Sequence, residues 1–172
     1  MSVYLMAPID KNGVIVLDRH TITTMSSKWF RMNTFGGAII MDRHYWEVLP
    51  TVLRNNCTNI VVTSNSQRVL TRGSTSLPRL DGPHWCETLT EALLLSSSLP
   101  TYIIGGSELF RSALLLEVVD AFLITHVDIE ISDHHSRELS LPSNRKVIWT
   151  SKTQQHPDFN FHFELSCFKK KC

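Results

Sequence analysis

No run in the chain approaches the roughly 18 consecutive apolar residues that a membrane helix needs, so no segment reads as a span and no membrane partner is expected. Nor is one sign of charge in excess: 17 Lys+Arg stand against 16 Asp+Glu, a formal net charge of +1. A protein that coats nucleic acid must neutralise phosphates with a clear basic surplus, so that class is set aside. Glycine and proline number only seven each, too few for a low-complexity tract or a long linker, and no internal repeat is present. Cys57, Cys86, Cys167 and Cys172 stand far apart without a C-x-x-C pair, which removes the usual spacing of a structural zinc site or a redox dithiol. Four free thiols in a reducing compartment are expected. Met1–Pro8 has no basic n-region and meets Asp10 and Lys11 too early for a signal peptide, so the expected location is the cytoplasm and the Asn56-Cys57-Thr58 sequon is read as chance. Only 19% of residues are charged and 42% are apolar, enough for one core, and 172 residues suit a single domain.

What is present alternates. Short runs rich in β-branched residues, Val3–Pro8, Ala38–Met41, Asn59–Thr63, Thr101–Ile104 and Ala121–Val127, have strand length. Helical patterns fall between them. Met25–Phe35 carries Trp29, Met32 and Asn33 at i, i+3, i+4 spacing. Thr88-Leu89-Thr90-Glu91 is a capping box opening a helix over Glu91–Ser97. Ser107 is expected to cap a helix through Leu115, with Glu108 favoured by the dipole of its first turn. Strands alternating with helices call for crossovers, hence an α/β fold with a mainly parallel sheet. The C-terminus breaks the pattern: Lys146–Gln154 and Phe159–Phe168 have no helix between them, and Phe159, Phe161, Phe163, Leu165 and Cys167 alternate strictly. A hairpin turning at His156-Pro157-Asp158 should close one edge of the sheet antiparallel, with Lys169-Lys170-Lys171 as a solvated end.

Three strand ends carry polar groups, and in open α/β sheets ligands sit at the carboxyl ends of strands. Ile103-Ile104-Gly105-Gly106-Ser107-Glu108-Leu109-Phe110 runs from a buried strand through two glycines into a helix, where bare backbone and unpaired N–H groups suit a phosphate; a Gly-Gly turn is also often only a turn. Ile39-Ile40-Met41 ends in Asp42, and Arg43 and His44 open the next helix. Thr63 and Ser64 add hydroxyls after the following strand. Residues 1–86 carry nine basic and five acidic side chains and residues 87–172 eight and eleven, which fits an anionic ligand on the first half or simple scatter. Asp133-His134-His135 has no further ligand near it and reads as a polar turn, so no metal is expected.

Trp29-Phe30-Arg31-Met32-Asn33-Thr34, Ile39–Glu47, Asn59–Ser64, Ile103–Phe110 and Leu123–Asp128, in this order and spacing, resemble dihydrofolate reductase, as does the hairpin with Phe161-His162-Phe163-Glu164. The resemblance covers nearly the whole chain. It implies one domain over 1–172, a three-layer sandwich with a mainly parallel eight-stranded sheet, an antiparallel edge hairpin and about four helices. An adenosine-binding subdomain would span about 37–106. It further implies NADPH as cofactor, dihydrofolate as the small-molecule partner, and a monomer. NADPH would lie over Gly105, Gly106, Ser107, Glu108, Leu109 and Phe110, beside a cis peptide between the glycines. Arg43, His44, Thr63 and Ser64 would hold its phosphate end, and Ala7, Ile15, Tyr45 and Ile104 would complete its contacts. Leu5, Met6, Ala7, Ser26, Ser27, Phe30, Leu49, Leu53, Arg54, Ile104 and Thr125 would line the substrate, with Ser26 and Thr125 at the chemistry. Phe30, Leu49 and Leu53 read equally as ordinary core.

The departures from the family pattern gather at the chemistry. Ser26 stands where the family has its one essential carboxylate, which anchors the pterin amino group and favours protonation of N5. Residues 14–24 lack the family's Ile-Gly and Pro-Trp pairs, and Asp18 is the one loop acid that could substitute. Asp42 replaces a glycine, Tyr45 a Thr or Ser, Cys57 the arginine that fixes the substrate carboxylate, with Arg54 three residues away, and His134 a Thr. Two accounts follow: a slow reductase that protonates N5 through water, or a pseudoenzyme that keeps ligand binding or serves as a protein scaffold. A pyrimidine reductase of flavin synthesis is a third, and the WFRMNT segment argues against it.

Overall fold

The computed structural model describes residues 2–16, 27–64, 82–130 and 139–169. Its strands are β1 (Val3–Ile9), β2 (Ala38–Asp42), β3 (Thr58–Val62), β4 (His84–Cys86), β5 (Thr101–Gly105), β6 (Ala121–Val127), β7 (Arg145–Thr150), β8 (Gln154–Gln155) and β9 (Asn160–Phe168). They form one sheet in the order β4-β3-β2-β5-β1-β6-β9-β7, with β8 paired to β9. The pairs from β4 to β6 are parallel, and β9 runs antiparallel to β6, from Ala121↔Cys167 to Val127↔Phe161, and to β7. The mainly parallel sheet with an antiparallel edge is therefore as expected. The helices are α1 (Ser27–Thr34), α2 (Arg43–Val48), α3 (Thr51–Arg54), α4 (Leu89–Leu95) and α5 (Ser107–Leu115).

Side chains alternate across each strand, and they divide the core in two. Leu5, Ala7, Ile9, Ala38, Ile40 and Ile103 face one way and pack with Leu89 and Ala92 of α4 and Leu109, Phe110 and Ala113 of α5. Met6, Ile39, Met41, Tyr102 and Ile104 face the other way and pack with Phe30 of α1, Tyr45 of α2, Leu49, and Leu53 of α3. Three layers result. Strands buried on both faces explain why β1, β2 and β5 read as continuous apolar runs rather than alternating ones.

Four local expectations are corrected. The helix after the diglycine is capped by Gly106, not Ser107, which is its first helical residue. The strand expected over Lys146–Gln154 is broken: its register shifts between Val147 and Trp149, and Ser151 N donates to Phe163 O at 2.9 Å while Ser151 Oγ accepts from Phe163 N. The piece beyond becomes β8. Strand β4 was absent from the sequence reading because three residues give no period. Finally, Cys57 and Cys86 are free, but Cys167 is disulfide-bonded; spacing too wide for a C-x-x-C pair does not preclude a disulfide. Thr88 caps α4 as expected, accepting from Glu91 N while Glu91 accepts from Glu87 N, but the helix runs Leu89–Leu95 rather than Glu91–Ser97, because it starts directly after its cap. Asp18, Ser26, Asp133-His134-His135, Lys170, Lys171 and Cys172 lie outside the described residues. Among the described residues no helix is long and apolar enough to cross a membrane.

Candidate functional site

At one end of the candidate site, α1 is fixed on the sheet by Trp29, which stacks on Phe163 of β9 at 4.4 Å and on Trp149 of β7 at 5.7 Å. That docking turns Phe30 inward. Phe30, Met6, Leu49, Leu53 and Ile104 are all buried in one cluster. Leu5, Ala7 and Ile15 point into the opposite cluster beside Leu109 and Phe110. Thr125 lies two residues beyond Leu123 on β6 and so shares its face. It is 2% exposed, and its hydroxyl has no hydrogen-bond partner among the described residues. A buried hydroxyl left unpaired costs free energy, commonly about 1–3 kcal/mol, unless something arrives to pair it. Ser27 opens α1 in this same region.

Beside this cluster, Arg54 closes α3. Its guanidinium lies over the Trp46 ring, 4.1 Å from the centroid, and its buried Nε has no hydrogen-bond partner among the described residues. Burial lowers the Arg54 pKa from its ordinary value. Cys57 is turned inward instead: its thiol donates to the Thr34 carbonyl at 3.2 Å, and burial pushes its pKa up against that neighbour's opposing hydrogen bond with Thr34 Oγ1.

The other end is built where β2 and β5 finish. Asp42 is the N-cap of α2, its Oδ1 accepting from Tyr45 N at 2.8 Å. Aspartate suits that position because its carboxylate answers an unpaired N–H. Arg43 and His44 follow, both exposed, and Arg43 Nε donates to Glu47 Oε1 at 2.7 Å. Tyr45 is buried at 3% exposure. The Gly105–Gly106 peptide is cis. A Cβ at Gly105, whose φ is +151°, would clash with Cζ and both Cε atoms of the Tyr45 ring, and one at Gly106 would strike Asp42 Oδ2. Both glycines are therefore needed for space taken up by the chain's own side chains. Ser107 is half-buried and Glu108 exposed, with Glu108 Oε1 paired to Arg111 at 2.6 Å. Thr63 is half-buried and Ser64 exposed on the rim, Thr63 N donating to Cys86 O.

On the reverse face of β6, Glu164 is 5% exposed and bonded to His126 Nε2 at 2.7 Å and Arg145 Nη1 at 2.6 Å. His126 stacks on His162 at 4.4 Å. Sequence reasoning missed this network, since its members come from three strands.

The family model described as dihydrofolate reductase matches residues 2–169. The chain belongs to the dihydrofolate reductase family. Among solved structures, a Schistosoma mansoni dihydrofolate reductase superposes with a TM-score of 0.75 over 98% of both chains at 20% identity, a likeness of fold. No curated protein matches. The reduction of dihydrofolate is the family's reaction and NADPH its usual cofactor. At the diglycine turn, the ring of Tyr45 and the carboxylate of Asp42 stand where a Cβ on Gly105 or Gly106 would project. Sequence comparison flagged both residues as departures, but not that they meet Gly105 and Gly106.

Proposed function

We propose that this chain binds 7,8-dihydrofolate and reduces it slowly to 5,6,7,8-tetrahydrofolate, as a divergent cytoplasmic, monomeric reductase. The observation that supports it best is the unpartnered hydroxyl of Thr125 on the face of the Met6, Phe30 and Ile104 cluster. A flat heteroaromatic ring with an amino edge supplies what that hydroxyl lacks, and the apolar cluster supplies contact for the ring's faces. Arg54, with its unmet Nε, is the group that would receive the substrate's carboxylate, because Cys57 is committed to Thr34. NADPH, when bound, supplies the hydride for C6. The residue at position 26 is a serine, which can orient the pterin edge by hydrogen bonding but holds no negative charge, so the proton for N5 comes from water. Lost acid–base assistance of this kind costs about 10²–10⁴ in rate.

The test is loss of NADPH absorbance in the presence of dihydrofolate. Slow turnover that quickens as pH falls is expected. A rate equal to the protein-free control across roughly pH 5–8 would overturn the proposal. A second reading, a pterin-binding pseudoenzyme, is favoured by the covered diglycine turn; it would show dihydrofolate raising the melting temperature with no NADPH consumed.

A further inference from the structure

We infer that Tyr45 and Asp42 form an internal plug on the Gly105–Gly106 turn and thereby set this chain's affinity for a dinucleotide. The inference deepens the reductase proposal and rests on it for the identity of the ligand. The turn has the features of a phosphate seat: it ends the central strand β5, both residues lack a Cβ, and α5 begins directly after it with no side chain capping Gly106. Backbone N–H groups at such a helix start are an anion site when they are reachable. Here they are not. The Tyr45 ring rests on Gly105 and the Asp42 carboxylate on Gly106.

The plug is held, not merely placed. Tyr45 is wedged among Met6, Phe30, Leu49 and Ile104, and its backbone N–H is tied to Asp42 Oδ1 at 2.8 Å, so the two residues occupy the turn as a unit. It opposes a diphosphate in two ways, by the volume of a ring and by the charge of a carboxylate. Arg43 and His44 remain exposed beyond it. The adenosine 2′-phosphate end of a dinucleotide would thus still find its contacts while the diphosphate does not. Any binding of the whole molecule is reduced by the fraction of time the turn is uncovered.

The experiment is calorimetric titration of the full chain and of Tyr45→Thr, Asp42→Gly and the double variant with NADPH, and separately with adenosine 2′-phosphate. The double variant should bind NADPH about tenfold more tightly or better, with adenosine 2′-phosphate changed by less than about twofold. An unchanged NADPH affinity in a double variant whose melting temperature still rises with dihydrofolate would overturn the plug. An equal gain for adenosine 2′-phosphate would overturn it too, since the effect would then be general loosening. Asp42→Asn keeps the helix cap and removes only charge; it should gain about threefold at low salt and less at high salt, and no gain there would remove the electrostatic half. If dihydrofolate shifts no variant and not the parent chain, the reductase proposal fails, while the NADPH titrations still decide the plug.

Discussion

The two ends of the candidate site differ in kind. At the proposed pterin end the walls are apolar and buried, and two polar atoms, Thr125 Oγ1 and Arg54 Nε, have no hydrogen-bond partner among the described residues. At the proposed dinucleotide end Asp42 caps Tyr45, Arg43 is paired with Glu47, and the Tyr45 ring and Asp42 carboxylate stand against the two glycines. Unmet hydrogen-bonding groups mark a surface that still awaits a ligand, and met ones mark a surface that has folded onto itself. The proposed pterin end thus keeps buried polar atoms that no described residue answers. The dinucleotide end has kept its glycines and gained an acid at position 42.

The largest expected effect tests the lost charge. Ser26→Asp should raise the rate of dihydrofolate reduction near neutral pH by about 10²-fold or more. No gain, in a variant that still binds dihydrofolate, would mean that the dinucleotide end limits turnover. The next tests the self-contact. Gly105→Ala drives a methyl into the Tyr45 ring at a φ of +151°, which favours glycine, and should destabilise by about 3 kcal/mol in urea unfolding. In a Tyr45→Thr background about half of that penalty should vanish, the remainder being backbone strain; full additivity would show that ring and glycine do not press on each other.

Thr125→Val then sharpens the contrast, because it should move stability and binding in opposite directions. Replacing an unpartnered buried hydroxyl by a methyl should leave the unliganded protein equally stable or stabilise it by about 1 kcal/mol, while dihydrofolate binding weakens about tenfold. Loss of stability on that substitution would show that the hydroxyl is already satisfied.

How much of this was legible in the sequence depends on distance along the chain. Strands β1, β2, β3, β5 and β6 and the α4 cap follow from local pattern, because β-branched runs and a Thr-x-x-Glu box act over a few residues. Strand β4 is too short to carry a period. The break that separates β8 depends on Ser151 meeting Phe163 across the hairpin. Phe30, Leu49 and Leu53 are readable as a proposed pterin wall only through resemblance, since apolar residues on a helix read equally as core, and they are buried in one cluster. The Tyr45–Gly105 contact joins residues far apart in sequence, and nothing local at either position announces it.

Acid behaviour tests the support beneath the pterin end. Burial raises the Glu164 pKa, but hydrogen bonds from Ser166, Arg145 and His126 and the charge of Arg145 outweigh it, so the carboxyl sits below its ordinary value of 4.5. Its stabilisation is fully present above that value and is lost as pH falls through the lower folded one. His162 is held below its ordinary 6.5 by burial and by His126, against the pull of Glu164. Being harder to protonate when folded, it costs stability as pH drops below 6.5. Melting temperature should therefore decline in two windows on acidification, His162→Asn flattening the upper and Glu164→Gln the lower. A profile unchanged by both would uncouple this network from folding. The acid gain in rate expected of a solvent-protonated reductase has to be read above the lower window.

The smallest effect returns to the dinucleotide rim. Arg43 and Glu47 form an i,i+4 pair about half exposed at each partner, and such pairs contribute about 0–1 kcal/mol. Glu47→Gln should accordingly cost little stability, yet it frees the Arg43 fork from its own carboxylate and removes a negative charge next to the place where a 2′-phosphate would sit. Adenosine 2′-phosphate should bind about two- to threefold more tightly, with the gain fading above about 0.5 M salt as the charges are screened. A gain that persists at high salt would point to reshaping of α2 rather than charge. A loss of affinity would mean that Glu47 holds Arg43 in its binding geometry, and the rim would then be built for a ligand in the same sense as the pterin end.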